Sequence, residues 1–431
     1  MYEGLLSILH KEVKPALGCT GPTSVSYAAS VAKDAVGGEV KSVKVFVDRD
    51  TYKNSIAVGI PGTSEMGVVI AAALGAVCGD STLGLEVLKN VTKEDEEKAK
   101  TLAEHNVSLE INWDIEGVGL YIDVWVDTDL GTGHAIVAKT HTNVILIEAN
   151  NEIKYKVKED EIKNILDETK DIIAGYTVKD FYDFATKMPI EELNFLKESI
   201  NMNKELAETG LEKGSGKGFG EAFLKLQKTQ SAFFKAKAYT AAASDARMAG
   251  ENLPAMSCAS SGNVGITASL PLYIVALENG INEDILIRAL SLSFLMTIYI
   301  KNHIGRLSAM CACAIAASIG VGTGTVILFE GSFSQVEGAV KNIVGSIGGV
   351  LCDGAKLGCA LKLSSAVGIA IESAYMALDN TVIASGDGIV CDTADETIKM
   401  LGRIARLGMI ETDKVLCKEI IQREQNSKRY N

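Results

Sequence analysis

Proline, histidine and basic charge are all in short supply in this 431-residue chain. Six prolines against 41 glycines exclude proline-rich linkers and a collagenous rod, and favour tight turns and close helix packing. The five histidines do not cluster. His10, His105, His134 and His141 are isolated, as structural histidines usually are, and only His303 lies beside another motif. Lys and Arg number 42 against 55 Asp and Glu, for a formal charge of −13. No basic stripe of the kind a duplex-binding protein presents is found, so no nucleic-acid partner is expected. The one dense charge run, Thr92–Glu104, mixes both signs and reads as a solvated amphipathic helix. The first residues, MYEGLLSILHKEVKPALG, hold no basic region followed by an apolar one, so no export signal is expected. Membrane spans are not expected either. Val264–Leu277 is broken by Pro271, and Leu290–Ile300 falls short of the ~20 residues a span needs. A cytoplasmic location follows as an expectation.

What is present is the composition of a folded globular protein, 47% apolar and 23% charged, long enough for two or three domains of ~100–200 residues. Nine cysteines without an export signal point to a reducing compartment, with thiols used as ligands or catalysts rather than as staples. Their odd number rules out complete internal pairing. Alternating, β-branched runs predict strands at Lys41–Val47, Ser55–Ile60, Val107–Asn112, Tyr121–Asp127 and His134–Glu148. Helices are predicted at Pro22–Ala35, Met66–Val77 and the charged run, giving an α+β domain over residues 1–180. From about Val178 the strand signals fade and Ala-rich, glycine-punctuated stretches take over: Ala222–Ala249, Val264–Leu277, Glu283–Ile300, Cys311–Ile319, Ser334–Leu351, Ala355–Leu378 and Asp395–Leu407. Being apolar around much of their circumference, they predict the interior of a mostly α-helical domain over residues 181–431. Lys213–Phe219 (KGSGKGF) is expected to be a flexible connection inside it. The absence of a repeat of roughly 20–50 residues excludes a solenoid.

Five segments carry chemistry. In Ala16–Thr23, ALGCTGPT, Pro22 stands near the first position of a helix. Unpaired N–H groups at a helix start favour a bound carboxylate or a nearby thiolate, here Cys19. A capped helix start with a packed cysteine accounts for the same residues. Asn54–Gly67, NSIAVGIPGTSEMG, places Thr63 and Ser64 in a turn that either lines a pocket or merely caps the next helix. Ser257–Gly265, SCASSGNVG, offers hydroxyl, amide and backbone groups from Ser260, Ser261, Gly262 and Asn263, suited to an amino acid's carboxylate or ammonium, unless Asn263 is a plain N-cap. Lys301–Cys313 (KNHIGRLSAMCAC) and Cys352–Cys359 (CDGAKLGC) have spacings unlike a zinc ribbon or the short ferredoxin motifs. Residues seven apart on an unbroken helix lie ~10.5 Å apart, so one cluster could be gripped only if the glycines bend the backbone. Two ligands from Cys352 and Cys359 plus one from Cys311 or Cys313 would leave one iron of a four-iron cluster open, as Lewis-acid chemistry requires. Cys78, Cys391 and Cys417 read as small core fillers; Cys258, beside the serine-rich turn, stays ambiguous.

Five stretches, ALGCTGPTSVSYA (16–28), VGIPGT (58–63), SDARMAG with MSCASSGNVGITASLP (244–271), HIGRLSAMCACAIAA (303–317) and CDGAKLGCALK (352–362), resemble in order the iron–sulfur L-cysteine desulfidase family, related to the α chain of iron–sulfur L-serine dehydratases. The sequence departs from the family's pattern at Cys258 and Ser260, where Ser and Gly are expected. That change bears on substrate preference rather than on reaction class. The resemblance implies a pyridoxal-independent lyase with a [4Fe–4S] cluster on Cys352, Cys359 and Cys311, with Cys313 as the alternative third ligand. It implies Cys19 as the catalytic base, and Thr20, Gly21, Thr23, Asn54, Thr63, Ser260, Ser261, Gly262, Asn263 and His303 around a small amino-acid substrate. L-Cysteine would yield pyruvate, ammonia and sulfide. L-Serine dehydration by the same chemistry and a non-catalytic iron–sulfur or zinc sensor are the alternatives. A pyridoxal-phosphate lyase lacks a phosphate cradle beside Lys356. A homodimer is the commonest assembly for such a chain.

Overall fold

The computed structural model describes residues 2–113, 120–158, 161, 172–226, 231–305 and 308–427. Among the described residues eight strands are formed: β1 Val13–Leu17, β2 Val40–Asp48, β3 Val107–Asn112, β4 Leu120–Thr128, β5 Gly131–Lys139, β6 Val144–Ala149, β7 Glu152–Lys156 and β8 Pro254–Cys258. Six of them make one sheet in the order β3-β2-β4-β5-β6-β7, in which only β2 and β3 run parallel. Alternation in the sequence sets its buried face. Val43, Val45 and Val47 of β2 pair with Val126, Val124 and Ile122 of β4, and all six are out of water. A side chain of this size contributes about 1.5–3 kcal/mol when fully buried. Over that face lie two helices, α2 Thr20–Val36 and α4 Val68–Cys78. They approach closely because their contact is made of small residues: a Cβ on Gly75 would meet the carbonyl oxygen of Ser26 at 2.1 Å. The predicted charged helix forms as Lys93–Asn106, held at its start by a Thr92–Asp95 capping box, with Ala99 its one buried residue.

From about Ile172 onward the described chain is helical except for β8. The helix Glu283–Ile304 is buried at nearly every position between Leu286 and Lys301, and it is packed by Gly262–Glu278, Ala316–Leu328 and Val178–Lys187. Phe333–Ile347, Cys359–Leu378 and Ala394–Arg403 complete the layer. Several hydroxyls in this core are satisfied within their own helices, as Thr297 to the Ser293 carbonyl (2.7 Å) and Ser318 to that of Ala314 (2.6 Å). Serine and threonine can therefore sit among the apolar side chains at modest cost, although the buried hydroxyls of Thr325 and Ser364 have no hydrogen-bond partner among the described residues. Among the described residues one helix, Cys359–Leu378, is long and apolar enough to cross a membrane by length and composition; Val367 and Ile371 on it are packed into the helical core, and Leu363 is buried.

The α+β half followed by a mostly helical half matches the sequence reading, and the two are interleaved. The first helix, Glu3–Glu12, puts Leu5, Ile8 and Leu9 into the helical core beside Phe181 and Phe184, while Ile421 of the last helix, Ile410–Ser427, joins the core of the sheet. Local expectations need correction in four places. Ser55–Ile60 makes only isolated bridges, Ala57 to Lys356 and Gly59 to Met66. His134–Glu148 is two strands joined by a turn at residues 140–143. Ala222–Ala249 divides into Phe219–Leu226 and Ala232–Ala249, with residues 227–230 outside the described chain. The Lys213–Phe219 connection is pinned rather than free, because the Asp245 carboxylate accepts from the backbone N–H of Lys217 (3.2 Å) and Phe219 (2.7 Å).

Candidate active site

The short strands β1 and β8 pair antiparallel, Val13 opposite Cys258 and Leu17 opposite Pro254. Each runs through a tight turn into a 17-residue helix, α2 after β1 and Gly262–Glu278 after β8. The first turn uses Gly18 at φ 65°; the second uses Ala259 and Ser260 at φ 47° and 64°. The N-cap residues, Cys19 and Ser261, make no side-chain capping bond. Two sets of first-turn N–H groups are thus brought side by side without capping side chains. The turns are tied by a weak hydrogen bond from the Thr20 hydroxyl to the Ser260 carbonyl, 3.4 Å.

Both helix starts open on one cavity of about 670 Å³ lined by Cys19, Thr20, Gly21, Asn54, Ser260, Ser261 and Asn263, and by all four cysteines of the two spaced motifs. Cys19 is buried, with its Sγ 3.7 Å from the Asn54 carbonyl oxygen. Asn54 is held in turn by its side-chain amide, which donates to the Asp50 carbonyl (2.8 Å). It terminates the short helix Arg49–Lys53, whose N-cap Asp48 accepts from the N–H of Asp50 and Thr51 (both 2.9 Å) and of Tyr121 (2.7 Å). Gly21 is required where α2 crosses this segment, since a Cβ there would lie 2.5 Å from the Ser55 hydroxyl.

The CxC and Cx₆C motifs meet through a strip of extended backbone. Cys311 N–H donates to Val350 (2.9 Å), Cys352 N–H donates to Ala309 (2.7 Å), and Met310 bridges Leu351. Cys359 begins the helix Cys359–Leu378. Between Cys352 and Cys359 the chain turns at Gly354, φ 88°, so close to the sheet half that a Cβ would meet the Lys53 carbonyl oxygen at 2.1 Å. Hydrogen bonding to Cys313 is the largest influence holding the Cys311 thiol's proton, and with burial pushes it up to about 12. Cys352 is raised by its hydrogen bond with Cys311 and by burial, and Cys359 chiefly by burial. A cation bound beside them would favour the thiolates that burial disfavours. Lys53 and Lys362 add positive charge beside the sulfurs. Asp353 experiences burial that would raise it, but hydrogen bonds from Lys356 and Lys362 outweigh that and bring its carboxyl down to about 2. Four soft sulfur donors on one wall, with ammonium groups behind them, fit an anionic iron–sulfur group.

Not every candidate reaches the cavity. The Thr23 hydroxyl folds back onto the Cys19 carbonyl (2.8 Å), and that of Thr63 closes its own turn on Ile60 (3.0 Å). Gly262 supports rather than lines, because a Cβ there would meet the guanidinium of Arg247 at 2.2 Å. His303 packs edge-on against Tyr299, 4.6 Å between ring centres, and burial holds its pKa below the usual histidine range. Arg306 and Leu307 of the GRLS turn lie outside the described residues. The cavity also has walls that motif reading did not single out: Arg247, Lys301, the 139–141 turn, and Arg49, Asp50 and Asp413. Arg247 stands in SDARMAG, and its buried setting was the missing signal. Asp413, Asp50 and Cys417 lie close enough to share a metal ion, but the buried ammonium of Lys53 already sits among them, 2.5 Å from Asp413 and 3.3 Å from Asp50.

A sheet-backed thiol and a second helix start facing a four-thiol wall define the class to which this chain is assigned by comparison with known proteins. The family model described as the serine dehydratase alpha chain matches residues 82–418, and the chain belongs to that family. It is also 42% identical to a UPF0597 protein of Clostridium tetani over 98% of this chain and 99% of that one. A UPF0597 protein of Caldanaerobacter subterraneus subsp. tengcongensis is 41% identical, covering 97% and 98%, and one of Bacteroides fragilis is 38% identical, covering 96% of each. The relatives therefore span the Cys19 segment, which the family match itself does not reach.

Proposed function

We propose that the protein is a cytoplasmic, pyridoxal-independent lyase that converts L-cysteine and water to pyruvate, ammonia and hydrogen sulfide. The observation that carries the reading is the meeting, in one cavity, of Cys19 with the thiol wall of Cys311, Cys313, Cys352 and Cys359. Membership of the serine dehydratase alpha-chain family supports the lyase class. Cys352, Cys359 and Cys311 would hold a [4Fe–4S] group, with Cys313 the alternative to Cys311. That group, when bound, supplies Lewis acidity to the substituent leaving from Cβ.

The chain's own residues do the rest. Cys19 Sγ, acting as the thiolate, takes the proton from Cα and becomes the neutral thiol, the general-base step of the elimination. Loss of the β-substituent then leaves aminoacrylate, which tautomerises and hydrolyses with no net redox change. Thr20, Ser260, Ser261 and Asn263 offer hydroxyl, amide and backbone donors that orient the amino acid, and Asn54 fixes Cys19 from behind. Loss of hydroxide from L-serine uses the same groups, and the family's description favours testing it in parallel. The reading needs only a free amino acid as partner.

The test is an anaerobic reconstitution with iron and sulfide, followed by assay of sulfide and pyruvate from L-cysteine and of pyruvate from L-serine. Sulfide and pyruvate in equal amounts are expected. Pyruvate from serine with little sulfide from cysteine would reassign the protein as a dehydratase, and no turnover of either would sink the lyase reading.

A further inference from the structure

Arg247 stands out among the cavity's walls as a cation without an anion. It lies near the end of the helix Ala232–Ala249 and is 3% exposed. Both of its hydrogen-bond partners are neutral: the Gly18 carbonyl oxygen at 2.6 Å and the Asn263 side-chain oxygen at 3.2 Å. Its Nε has no partner, and no carboxylate pairs with it among the described residues. A buried charge left unpaired is costly, so an anion binding beside it is favoured.

The surroundings say what that ligand is. The two bonds reach into the two turns that begin the paired helices, Gly18 before Cys19 and Asn263 after Ser261. The guanidinium therefore sits where the positive ends of α2 and Gly262–Glu278 converge, and Gly262 is bare where it lies. Guanidinium plus uncapped helix N–H groups is a receptor for a small planar carboxylate.

We propose that Arg247 is the counter-ion for the substrate's α-carboxylate, an ion pair that turns the Cα proton toward Cys19. The substrate class is thus a small α-amino acid with a free carboxylate. This rests on the lyase reading in taking the carboxylate to be an amino acid's, but its test does not depend on turnover.

The reconstituted protein is titrated by calorimetry with L-alanine, which has no leaving group, and with L-alaninamide, which has the same shape and no carboxylate. Wild type should bind L-alanine about 100-fold more tightly, the scale of losing one partner of a buried charge pair. In Arg247→Gln that preference should vanish while the brown cluster absorbance persists, and the KM for L-cysteine should rise by a similar factor. Arg247→Lys, which keeps the charge but not the fork, should recover part of the preference. Equal affinities in wild type, or an undiminished preference in Arg247→Gln, would overturn the proposal. Turnover with wild-type KM in Arg247→Gln would do the same while leaving the lyase reading intact. A carboxylate preference lost in Arg247→Gln without any turnover in wild type would uphold the anchor and reject the lyase.

Discussion

The two strand–turn–helix units that meet at β1 and β8 share a plan and differ in nearly everything built on it. Both send a 17-residue helix away from the cavity, and neither N-cap side chain makes a capping hydrogen bond. Yet α2 packs on the sheet and delivers a thiol, while Gly262–Glu278 enters the helical core and delivers hydroxyl and amide groups. The first turn meets the left-handed requirement with glycine; the second places Ala259 and Ser260 there, at a cost of about 1–2 kcal/mol per residue. One local geometry, a helix start aimed at a cavity, thus presents a thiol on one side and hydroxyl and amide groups on the other; under the proposed function the first removes a proton and the second recognises the substrate.

That comparison can be broken most severely from outside either unit. Asp413 clamps the last helix to Lys53, the residue just before Asn54, and both partners are nearly inaccessible. Asp413→Ala leaves a buried ammonium with only Asp50, and should lower unfolding stability by about 3 kcal/mol; urea denaturation measures it, and a change below about 1 kcal/mol would show that the clamp is incidental. Gly18→Ala attacks the first turn directly. A Cβ there falls 2.1 Å from Pro61 Cγ at a positive φ, so a loss of about 2–3 kcal/mol is expected. The mirror experiment, Ala259→Gly, relieves the second turn and should change stability by less than about 1 kcal/mol, because relief of strain offsets the freedom gained by the unfolded chain. Equal effects at the two positions would mean that the turns are not strained differently.

The smallest effect lies on β5, outside both turns, and serves as a control. His134 is gripped by Glu148 (2.7 Å) and Asp123 (2.9 Å) and stacked on Trp125. Burial alone would lower its pKa, but these hydrogen bonds and charges outweigh it and leave the imidazolium favoured. A folded pKa above the unfolded one contributes stability that is full below about pH 6.5 and lost as the pH rises through the folded value. Urea midpoints at pH 6 and pH 8.5 should therefore fall in wild type and flatten in His134→Phe, with turnover unchanged.

The sequence makes plain the parts governed by period and composition. Alternation marks β2 and β4, and the Ala-rich stretches mark the helical half. It conceals what depends on distant partners. Neither KPA in β1 nor PAMSC in β8 reads as a strand, because each forms only against the other, some 240 residues away. The spaced cysteines could be named one by one, but that Cys311 and Cys352 lie on neighbouring extended strips follows from the Met310–Leu351 bridge. Arg247 is inconspicuous for a similar reason: an arginine in a helical stretch is ordinary, and only its place in the fold leaves it without a carboxylate among the described residues. His303 misled by proximity in sequence, since it shares a helix with Lys301 while turning toward Tyr299.

The central claim is that two cysteine sets with separate duties share one cavity, and it is tested by measuring iron content and pyruvate release on the same anaerobically reconstituted samples of wild type, Cys19→Ala and Cys352→Ala. Cys19→Ala should retain its iron and lose turnover by a factor of at least about 100, whereas Cys352→Ala should lose both. Turnover surviving in Cys19→Ala, or iron retained in full by Cys352→Ala, would contradict the account.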